Sequence, residues 1–224
     1  MQLGGIDIKK EHLESMDRPR YGYSWLAKFF FRTMDLITGK EITLGKAKLI
    51  ETLASIPYRA WENRQYARMT RHYRNKEIVQ KAWKIVKLSR EAQDNEYWHL
   101  LVINEKMQED GVKDPWYCYW PFPSVMALSY VLLSKILVLF TPRRAYLFNA
   151  EFEDHAEHEY ADLVAKHPEW EEQPVNNPMV NKYGNFQNWA DVFRRIGLDE
   201  RDHMNSSFVF SDRPESVVKY NGMP

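Results

Sequence analysis

The stretch Asn95-Glu-Tyr-Trp-His-Leu-Leu101 carries the pattern from which the fold of this chain can be predicted. Glu96 and His99 are three residues apart inside a long segment without proline or glycine, so both side chains lie on one face of a predicted helix. The sequence contains one other Glu-x-x-His pattern, Glu200-Arg-Asp-His203. Chance alone would give roughly 0.6 such matches in a chain of this composition. Two matches therefore suggest paired metal ligands.

Two further carboxylates complete an arrangement of four helices. A ferritin-like di-iron bundle takes one Glu from each of two helices and one Glu-x-x-His from each of the other two. Glu51 and Glu153 are the candidates on two other predicted helices. The break at Asn75 is about 24 residues from Glu51 and about 21 from Glu96, while Glu153 and Glu200 each lie about 14 residues from the ends of a second break. Both hairpins therefore bring their ligands level within about one helical turn.

The spacing thus predicts an all-α protein with a ferritin-like four-helix bundle that holds a di-iron carboxylate site. Its six predicted ligands are Glu51, Glu96, His99, Glu153, Glu200 and His203. The alternative is a set of solvated glutamates and surface histidines that bind no metal, because most charged residues of helices face solvent. Four carboxylates with two imidazoles suit two iron ions. Zinc prefers a closed site of four ligands with more nitrogen or sulfur donors.

The composition excludes several other classes of protein. The 224 residues are 44% hydrophobic, enough for a domain with a real core. Thirty-one basic and 31 acidic residues give a net charge of zero, which argues against a nucleic-acid partner. The single cysteine, Cys118, excludes a disulfide framework and a zinc site built from cysteines.

Two segments predict contact with a membrane surface. The apolar run Ser124–Phe140 contains Lys135 and is shorter than the about 20 residues that a spanning helix needs. Tyr21–Thr38 combines aromatic residues with Lys28 and Arg32, as an in-plane membrane helix requires. We therefore expect two helices that lie on a bilayer without crossing it. The alternative for the apolar run is a buried helix of the bundle.

Helix breakers divide the chain into six predicted helices and three regions. We expect an N-terminal arm over residues 1–20, a single di-iron domain over 21–207 with membrane-surface helices at about 21–38 and 124–140, and a C-terminal tail over 208–224. The six helices are predicted over Tyr21–Thr38, Leu44–Arg74, Lys76–Glu109, Ser124–Phe140, Arg143–Lys166 and Phe186–Ser206.

The four ligand motifs, in this order, resemble those of the alternative oxidases, the non-haem di-iron quinol oxidases. The resemblance covers Lys46 to Met204 and is closer to the plastid terminal oxidase branch than to the mitochondrial one. Its motifs are Leu49-Ile-Glu-Thr-Leu-Ala-Ser-Ile-Pro-Tyr58, which has the plastid-type Pro-Tyr ending, Asn95-Glu-Tyr-Trp-His99, Phe152-Glu-Asp-His-Ala-Glu-His-Glu-Tyr160 and Leu198-Asp-Glu-Arg-Asp-His203.

The resemblance implies roles for residues around the six ligands. Tyr160 matches a tyrosine that supplies an electron and a proton during O–O cleavage; the alternative is a core tyrosine with a bonded hydroxyl. Asn95 and Asp199 match positions that orient the ligands, and Tyr183 matches a further aromatic residue near the site. The implied quinol pocket consists of Lys46, Ile50, Phe152, His155 and Glu159.

Three positions of the implied quinol pocket depart from the mitochondrial pattern. Lys46 stands in place of an arginine, so it keeps the charge but lacks the planar fork. His155 replaces an acidic residue, as it does in the plastid branch, and Glu159 replaces a small hydroxyl residue. The change at Glu159 bears on the shape of the pocket and not on the ligands.

The implied activity is that of a cyanide-resistant terminal quinol oxidase, which oxidises plastoquinol or ubiquinol and reduces O2 to water at two iron ions. Because no spanning helix is predicted, we expect no proton pumping. The implied partners are the membrane quinol, O2, one leaflet of a thylakoid or bacterial inner membrane, and a second copy in a homodimer. Cys118 lies outside the N-terminal arm, so no disulfide switch between subunits is expected. The alternatives are a membrane-bound di-iron hydroxylase acting on a quinone precursor or lipid, and an iron-storage or structural bundle.

Overall fold

The computed structural model describes residues 5–223, and this range contains eight α-helices. Residues 1–4 of the predicted N-terminal arm and residue 224 of the predicted tail lie outside the described residues. The helices are α1 (Ile8–Asp17), α2 (Trp25–Thr38), α3 (Leu44–Arg71), α4 (Lys76–Glu109), α5 (Phe122–Phe140), α6 (Pro142–Lys166), the single turn α7 (Val180–Tyr183) and α8 (Trp189–Phe210).

The four long helices α3, α4, α6 and α8 form the central bundle. The pairs α3/α4 and α6/α8 have the most extensive contacts; α4 follows α3 directly, and the segment that contains α7 joins α6 to α8. Asn75 caps the start of α4 by accepting a hydrogen bond from the N–H of Ile78, and Asn188 caps α8 in the same way through Asp191. No β-strand occurs between residues 5 and 223. The all-α bundle predicted from the ligand spacing is confirmed.

The helix α1 lies inside the region that we expected to be an arm, and the six-helix prediction missed it. It packs against α6 and α8 through buried ion pairs. Arg201 donates to Glu11 over 2.6 Å and to Glu157 over 2.9 Å, and Ser15 donates to Glu157 over 2.7 Å. The buried face of α1 is polar, with Glu11 and Ser15 inside. It therefore has little of the apolar periodicity by which an amphipathic helix is recognised.

The helix α5 lies along the outside of the bundle on α3 and α6. It begins two residues earlier than predicted, and its nineteen residues are long and apolar enough to cross a membrane by length and composition. The expectation that this segment falls short of spanning length is therefore corrected. Only Tyr130, Ser134 and Val138 of α5 are buried. The end of α5 is held to the bundle, because Arg64 of α3 donates to the carbonyl of Leu139 over 3.0 Å.

The connector before α5 holds its other end against the start of α3. A side chain at Gly45 would place its Cβ 2.7 Å from Cγ of Pro115, closer than carbon atoms can approach. A glycine is therefore required at this point of contact between α3 and the connector. With both ends attached to α3, α5 runs beside the bundle over most of its length.

Candidate metal centre

The six predicted ligands come together in the middle of the bundle, on α3, α4, α6 and α8. They form two groups whose ligand atoms lie within 4.8 Å of one another. One group is Glu51, Glu96, His99 and Glu200, and the other is Glu96, Glu153, Glu200 and His203. Glu96 and Glu200 belong to both groups. The two groups are therefore two adjoining positions for a cation, with two carboxylates in common.

Each shared carboxylate divides its oxygens between the two imidazoles. Nδ1 of His99 lies 3.5 Å from Oε2 of Glu96 and 2.9 Å from Oε1 of Glu200. Nδ1 of His203 lies 3.0 Å from Oε1 of Glu96 and 3.5 Å from Oε2 of Glu200. Glu51 approaches the first position through Oε2, which lies 3.4 Å from Nδ1 of His99. Each shared carboxylate could therefore offer one oxygen to each of the two positions.

The polar atoms that face the centre lack hydrogen-bond partners. Buried polar groups in folded proteins are nearly always hydrogen-bonded, so several orphaned atoms at one point call for an explanation. A pair of cations would satisfy all of them. The unpartnered buried atoms here are Oε2 of Glu51, both oxygens of Glu96, Nδ1 of His99, Oε2 of Glu153, both oxygens of Glu200 and Nδ1 of His203. The residues present thus fit two metal ions.

The two unshared carboxylates, Glu51 and Glu153, each accept a hydrogen bond from a tyrosine. The hydroxyl of Tyr160 donates to Oε1 of Glu51. The hydroxyl of Tyr58 donates to Oε1 of Glu153 over 2.7 Å, and the amide of Asn149 donates to the same oxygen over 2.9 Å. Each of these glutamates therefore has one bonded oxygen and one oxygen left for the centre.

Asp199 orients His99 from the side away from the centre. Nε2 of His99 lies 3.3 Å from Oδ2 of Asp199, and the same oxygen accepts from Asn95 over 3.2 Å and from Tyr183 over 2.5 Å. The other oxygen accepts from Nε of Arg195 over 2.9 Å. A carboxylate behind a ligating imidazole fixes the tautomer that leaves Nδ1 free for a metal. The predicted residues Asn95 and Asp199 both lie in this network.

The electrostatics of the centre without metal are unfavourable for its carboxylates. Burial, and then the charge of Glu200, raises the pKa of Glu51 and the pKa of Glu153 well above their ordinary value. For Glu96 burial acts in the same direction, but His203 and His99 outweigh it and lower its pKa. Ionisation of all four carboxylates at one buried point is therefore unfavourable unless cations lie between them.

A second candidate site lies between α2, α3 and α6. Four of the five predicted quinol-pocket residues line this cavity, and the fifth, Glu159, lies at its mouth, where Oε2 is 3.7 Å from Nζ of Lys46. The cavity has a free volume of about 10 Å³, room for a water-sized group. Its lining residues are Phe30, Phe31, Met34, Lys46, Ile50, Phe152, His155 and Ala156.

The polar groups of this pocket are already engaged. Nζ of the buried Lys46 donates to Asp35 over 2.8 Å and to the carbonyls of Gly39 and Lys40 over 3.2 and 3.3 Å, so its three N–H groups have partners. Arg20 donates to Oε1 of Glu159 over 3.0 Å. Lys46 therefore fixes the turn between α2 and α3, and Arg20 holds the carboxylate at the mouth.

His155 is a neutral imidazole in this pocket. Its ring stacks on that of Phe31 at 4.1 Å, and its Nδ1 lies 2.7 Å from Nη1 of Arg20. Burial, and then the charge of Arg20, lowers the pKa of His155 to about 3. Because Arg20 can only donate, Nδ1 accepts and the proton of the ring lies on Nε2. His155 thus offers a donor beside the carboxylate of Glu159.

Several residues of both sites were not predicted. Tyr58 lies seven residues after Glu51 on the same helix, hence on the same face, and this spacing could have identified it. Arg20 and Asp35 belong to segments without a ligand-like pattern, and only the packing of α2 against the bundle brings them to the pocket. No local signal in the sequence marks them.

Comparison with known proteins places the chain in a family. The sequence model of the family described as alternative oxidase matches residues 9–212. No curated protein sequence matches the chain. The matched region begins within α1 and includes all six residues of the centre, Tyr160, Asn95 and Asp199.

Proposed function

Because the chain belongs to the alternative oxidase family, whose members are membrane-associated di-iron oxidases that use quinol and O2, we propose that it is a cyanide-resistant terminal quinol oxidase. It would oxidise plastoquinol or ubiquinol, reduce O2 to water and move no protons across the membrane. The observation that carries the proposal is the pair of overlapping ligand groups that share Glu96 and Glu200.

We assign the two iron ions to these groups. Glu51 and His99 would hold one ion, Glu153 and His203 the other, and Glu96 and Glu200 both. Iron bound there would transfer electrons from quinol to O2. The chain's own contribution is to fix the donor atoms: Asp199 holds His99 in the tautomer that presents Nδ1.

Tyr160 is the proposed catalytic side chain beside the centre. It is 3% exposed and donates to the carboxylate of Glu51. Burial, and then the charge of Glu51, raises the pKa of Tyr160, so the phenol keeps its proton until an electron is withdrawn. The proton can then pass to Glu51 along the existing hydrogen bond. This coupling suits a residue that supplies one electron and one proton to O2 reduction.

The pocket between α2, α3 and α6 is the proposed quinol site. The neutral His155 would donate from Nε2 to one oxygen of the quinol, and Glu159 would accept from its hydroxyl. A quinol ring is larger than the cavity, so binding requires the side chains of Phe30, Phe31 and Met34 to move. Because Ile50 and Phe152 adjoin Glu51 and Glu153 in sequence, the pocket lies next to the centre.

The exposed faces of α2 and α5 form the proposed membrane surface. On α2, Trp25, Phe29 and Leu36 are 79%, 65% and 87% exposed. Phe30 of α2 packs on Tyr130 of α5 at 5.2 Å, so the exposed faces of the two helices adjoin. The exposed apolar residues of α5 are Phe122, Val125, Leu128, Leu132, Ile136, Leu139 and Phe140.

This arrangement favours binding to one leaflet over spanning. The helix α5 lies along α3, and α3 carries exposed or half-buried charges such as Arg59 and Arg64 over the same length. If α5 crossed a bilayer, these charges would enter the hydrocarbon region, at a cost of several kcal/mol. We therefore propose an in-plane orientation on a thylakoid or bacterial inner membrane, with the pocket opening toward the lipid in which a quinol dissolves.

The test is O2 uptake by the purified chain, loaded with ferrous iron and bound to liposomes, after addition of a short-chain plastoquinol or ubiquinol with cyanide present. We expect two quinols oxidised per O2, with water as the product and no change of pH inside the vesicles. Glu200→Ala should abolish the uptake. Glu91→Ala, an exposed glutamate on α4, is the matched control and should leave it unchanged.

Each other outcome rejects part of the proposal. An oxygenated quinone precursor or lipid would indicate a hydroxylase. Uptake of O2 by ferrous iron without quinol turnover would indicate a storage or ferroxidase function. The relative rates with the two quinols decide the substrate, and acidification of the vesicles would refute the absence of proton pumping.

A further inference from the structure

Tyr58 is a tyrosine at the metal centre to which the preceding assignment gives no role. It is fully buried on α3, and its hydroxyl donates to Oε1 of Glu153 over 2.7 Å. The amide of Asn149 donates to the same hydroxyl over 3.0 Å. The phenol therefore has a donor on one side and a ligand carboxylate on the other.

This contact repeats the one between Tyr160 and Glu51. In both pairs the tyrosine binds Oε1 of a glutamate that belongs to a single ligand group. In both pairs Oε2 is buried, without a hydrogen bond, and faces the centre. The two halves of the centre thus hold their unshared carboxylates in the same way, although the tyrosines come from different helices.

The surroundings of Tyr58 contact both its ring and its hydroxyl. Its ring meets that of Trp61 edge-on at 4.9 Å and that of His203 at 5.7 Å. Asn149 also lies 3.2 Å from the hydroxyl of Ser207, so the network joins α3, α6 and α8. Side chains of three helices therefore determine where Oε1 of Glu153 lies.

We propose that Tyr58 is a positioning residue that keeps Oε1 of Glu153 away from the metal, so that this glutamate binds through Oε2 alone. This inference rests on the assignment of the centre as a metal site. A carboxylate held by one oxygen uses one coordination position where a chelating carboxylate uses two. Tyr58 would thereby leave a position free for an added ligand at the ion of His203.

The test compares Tyr58→Phe with Tyr146→Phe. Tyr146 is a buried tyrosine of the same aromatic cluster, with its ring 4.7 Å from that of Trp61, but its hydroxyl accepts from Gln65 and does not contact a ligand. Both changes remove one buried hydroxyl. Metal-free protein is titrated with Co²⁺, whose visible absorption reports its coordination number, and thermal unfolding checks that each variant is folded.

We expect Tyr58→Phe to change the Co²⁺ spectrum at one of two sites and to change the affinity of that site by about tenfold or more. Tyr146→Phe should give the wild-type spectrum and affinity. A wild-type spectrum and affinity in folded Tyr58→Phe would overturn the proposal. If Tyr58→Phe does not fold, Tyr58→Met, which also removes the hydroxyl that binds Oε1, should change the same site, and a wild-type spectrum in that folded variant would also overturn it.

The readout separates this inference from the proposed function. Binding of Co²⁺ needs neither quinol nor O2. A changed spectrum in a protein that oxidises no quinol would reject the oxidase and keep the role of Tyr58. Quinol oxidation by wild-type protein together with an unchanged Tyr58→Phe spectrum would support the oxidase and reject the role of Tyr58.

Discussion

Glu96 and Glu200 face the same two imidazoles, and each turns one oxygen toward His99 and the other toward His203. They come from α4 and α8, where each is the first residue of a Glu-x-x-His pattern. Each helix thus supplies one carboxylate common to both cation positions and one imidazole specific to a single position. The four carboxylates are therefore not equivalent. Loss of Glu96 or Glu200 should weaken metal binding more than loss of Glu51 or Glu153.

The number of bound ions tests this difference. Glu96→Gln removes a ligand from both positions, so we expect the variant to lose both iron ions. Glu51→Gln removes a ligand from one position only, and we expect it to keep about one ion, since the ligands of the other position remain intact. The measurement is the iron content after anaerobic loading with Fe²⁺ and gel filtration. Equal losses in the two variants would contradict the assignment of shared and unshared carboxylates.

The stability of the metal-free protein should depend on pH through Glu51 and Glu153. Burial, and then the charge of Glu200, raises the pKa of each above its ordinary value of 4.5. Between that value and the raised pKa, the folded state binds more protons than the unfolded state. The free energy of unfolding therefore falls as the pH rises through this window, and no loss occurs below it.

Urea unfolding of metal-free protein over about pH 4.5 to 8 measures this loss. Glu153→Gln removes one of the two titrating groups, so its stability should fall less steeply than that of the wild type. Burial lowers the pKa values of His99 and His203, but Tyr183 and Glu51 raise that of His99 further, and Glu96 and Glu200 raise that of His203. Both imidazoles therefore also lose stabilisation as the pH rises. They are present in both proteins, so the difference between the two curves reports Glu153. Parallel curves would refute the prediction.

The arrangement of the centre could be predicted because it depends on helix periodicity. A spacing of three residues puts Glu96 and His99 on one face, and the break at Asn75 sets the depth at which Glu51 meets them. Both are local properties of the sequence, and the structure brings all six side chains together as that reasoning expected.

The features that could not be predicted from the sequence depend on contacts between distant parts of the chain. Arg20 reaches Glu159 across 139 positions of sequence, and nothing near either residue indicates the other. The helix α1 is bound through Glu11 and Ser15, a polar surface that sequence reasoning assigns to solvent. Their burial is favourable because Arg201 pairs with Glu11 and donates a hydrogen bond to Ser15, which only the folded structure shows.

Glu159 should contribute to quinol binding through its charge. Glu159→Gln keeps the size of the side chain but removes the anionic acceptor at the mouth of the pocket. A hydrogen bond to a charged group contributes about 1.5–3 kcal/mol, so we expect KM for the quinol to rise by about tenfold or more with unchanged iron content.

Asp162→Asn is the matched control for this prediction. Asp162 also pairs with Arg20, over 3.3 Å, but its side chain is 45% exposed and it does not line the pocket. We expect it to leave KM unchanged. An equal rise of KM in both variants would assign the effect to the position of Arg20 and not to an acceptor function of Glu159.

Membrane binding should depend on the outward face of α5. Leu128, Leu132 and Leu139 are 61%, 54% and 63% exposed, so replacing them with serine removes little packing inside the protein. Transfer of one leucine side chain from water to an apolar phase contributes about 1.5–3 kcal/mol. Partial insertion of three should lower the partition into liposomes by at least about a hundredfold, with an unchanged melting temperature.

The control for α5 is Trp83→Ser on α4. Trp83 is 48% exposed, and its helix α4 has no extensive contact with α2 or α5 within the described residues. Its loss should not change partition into liposomes, which cosedimentation measures for both variants. A loss of binding in the serine triple variant alone supports the membrane surface formed by α2 and α5. Equal loss of binding in both variants would mean that exposed apolar side chains bind lipid without regard to position. No loss in either variant would mean that α5 is not part of the membrane-binding surface.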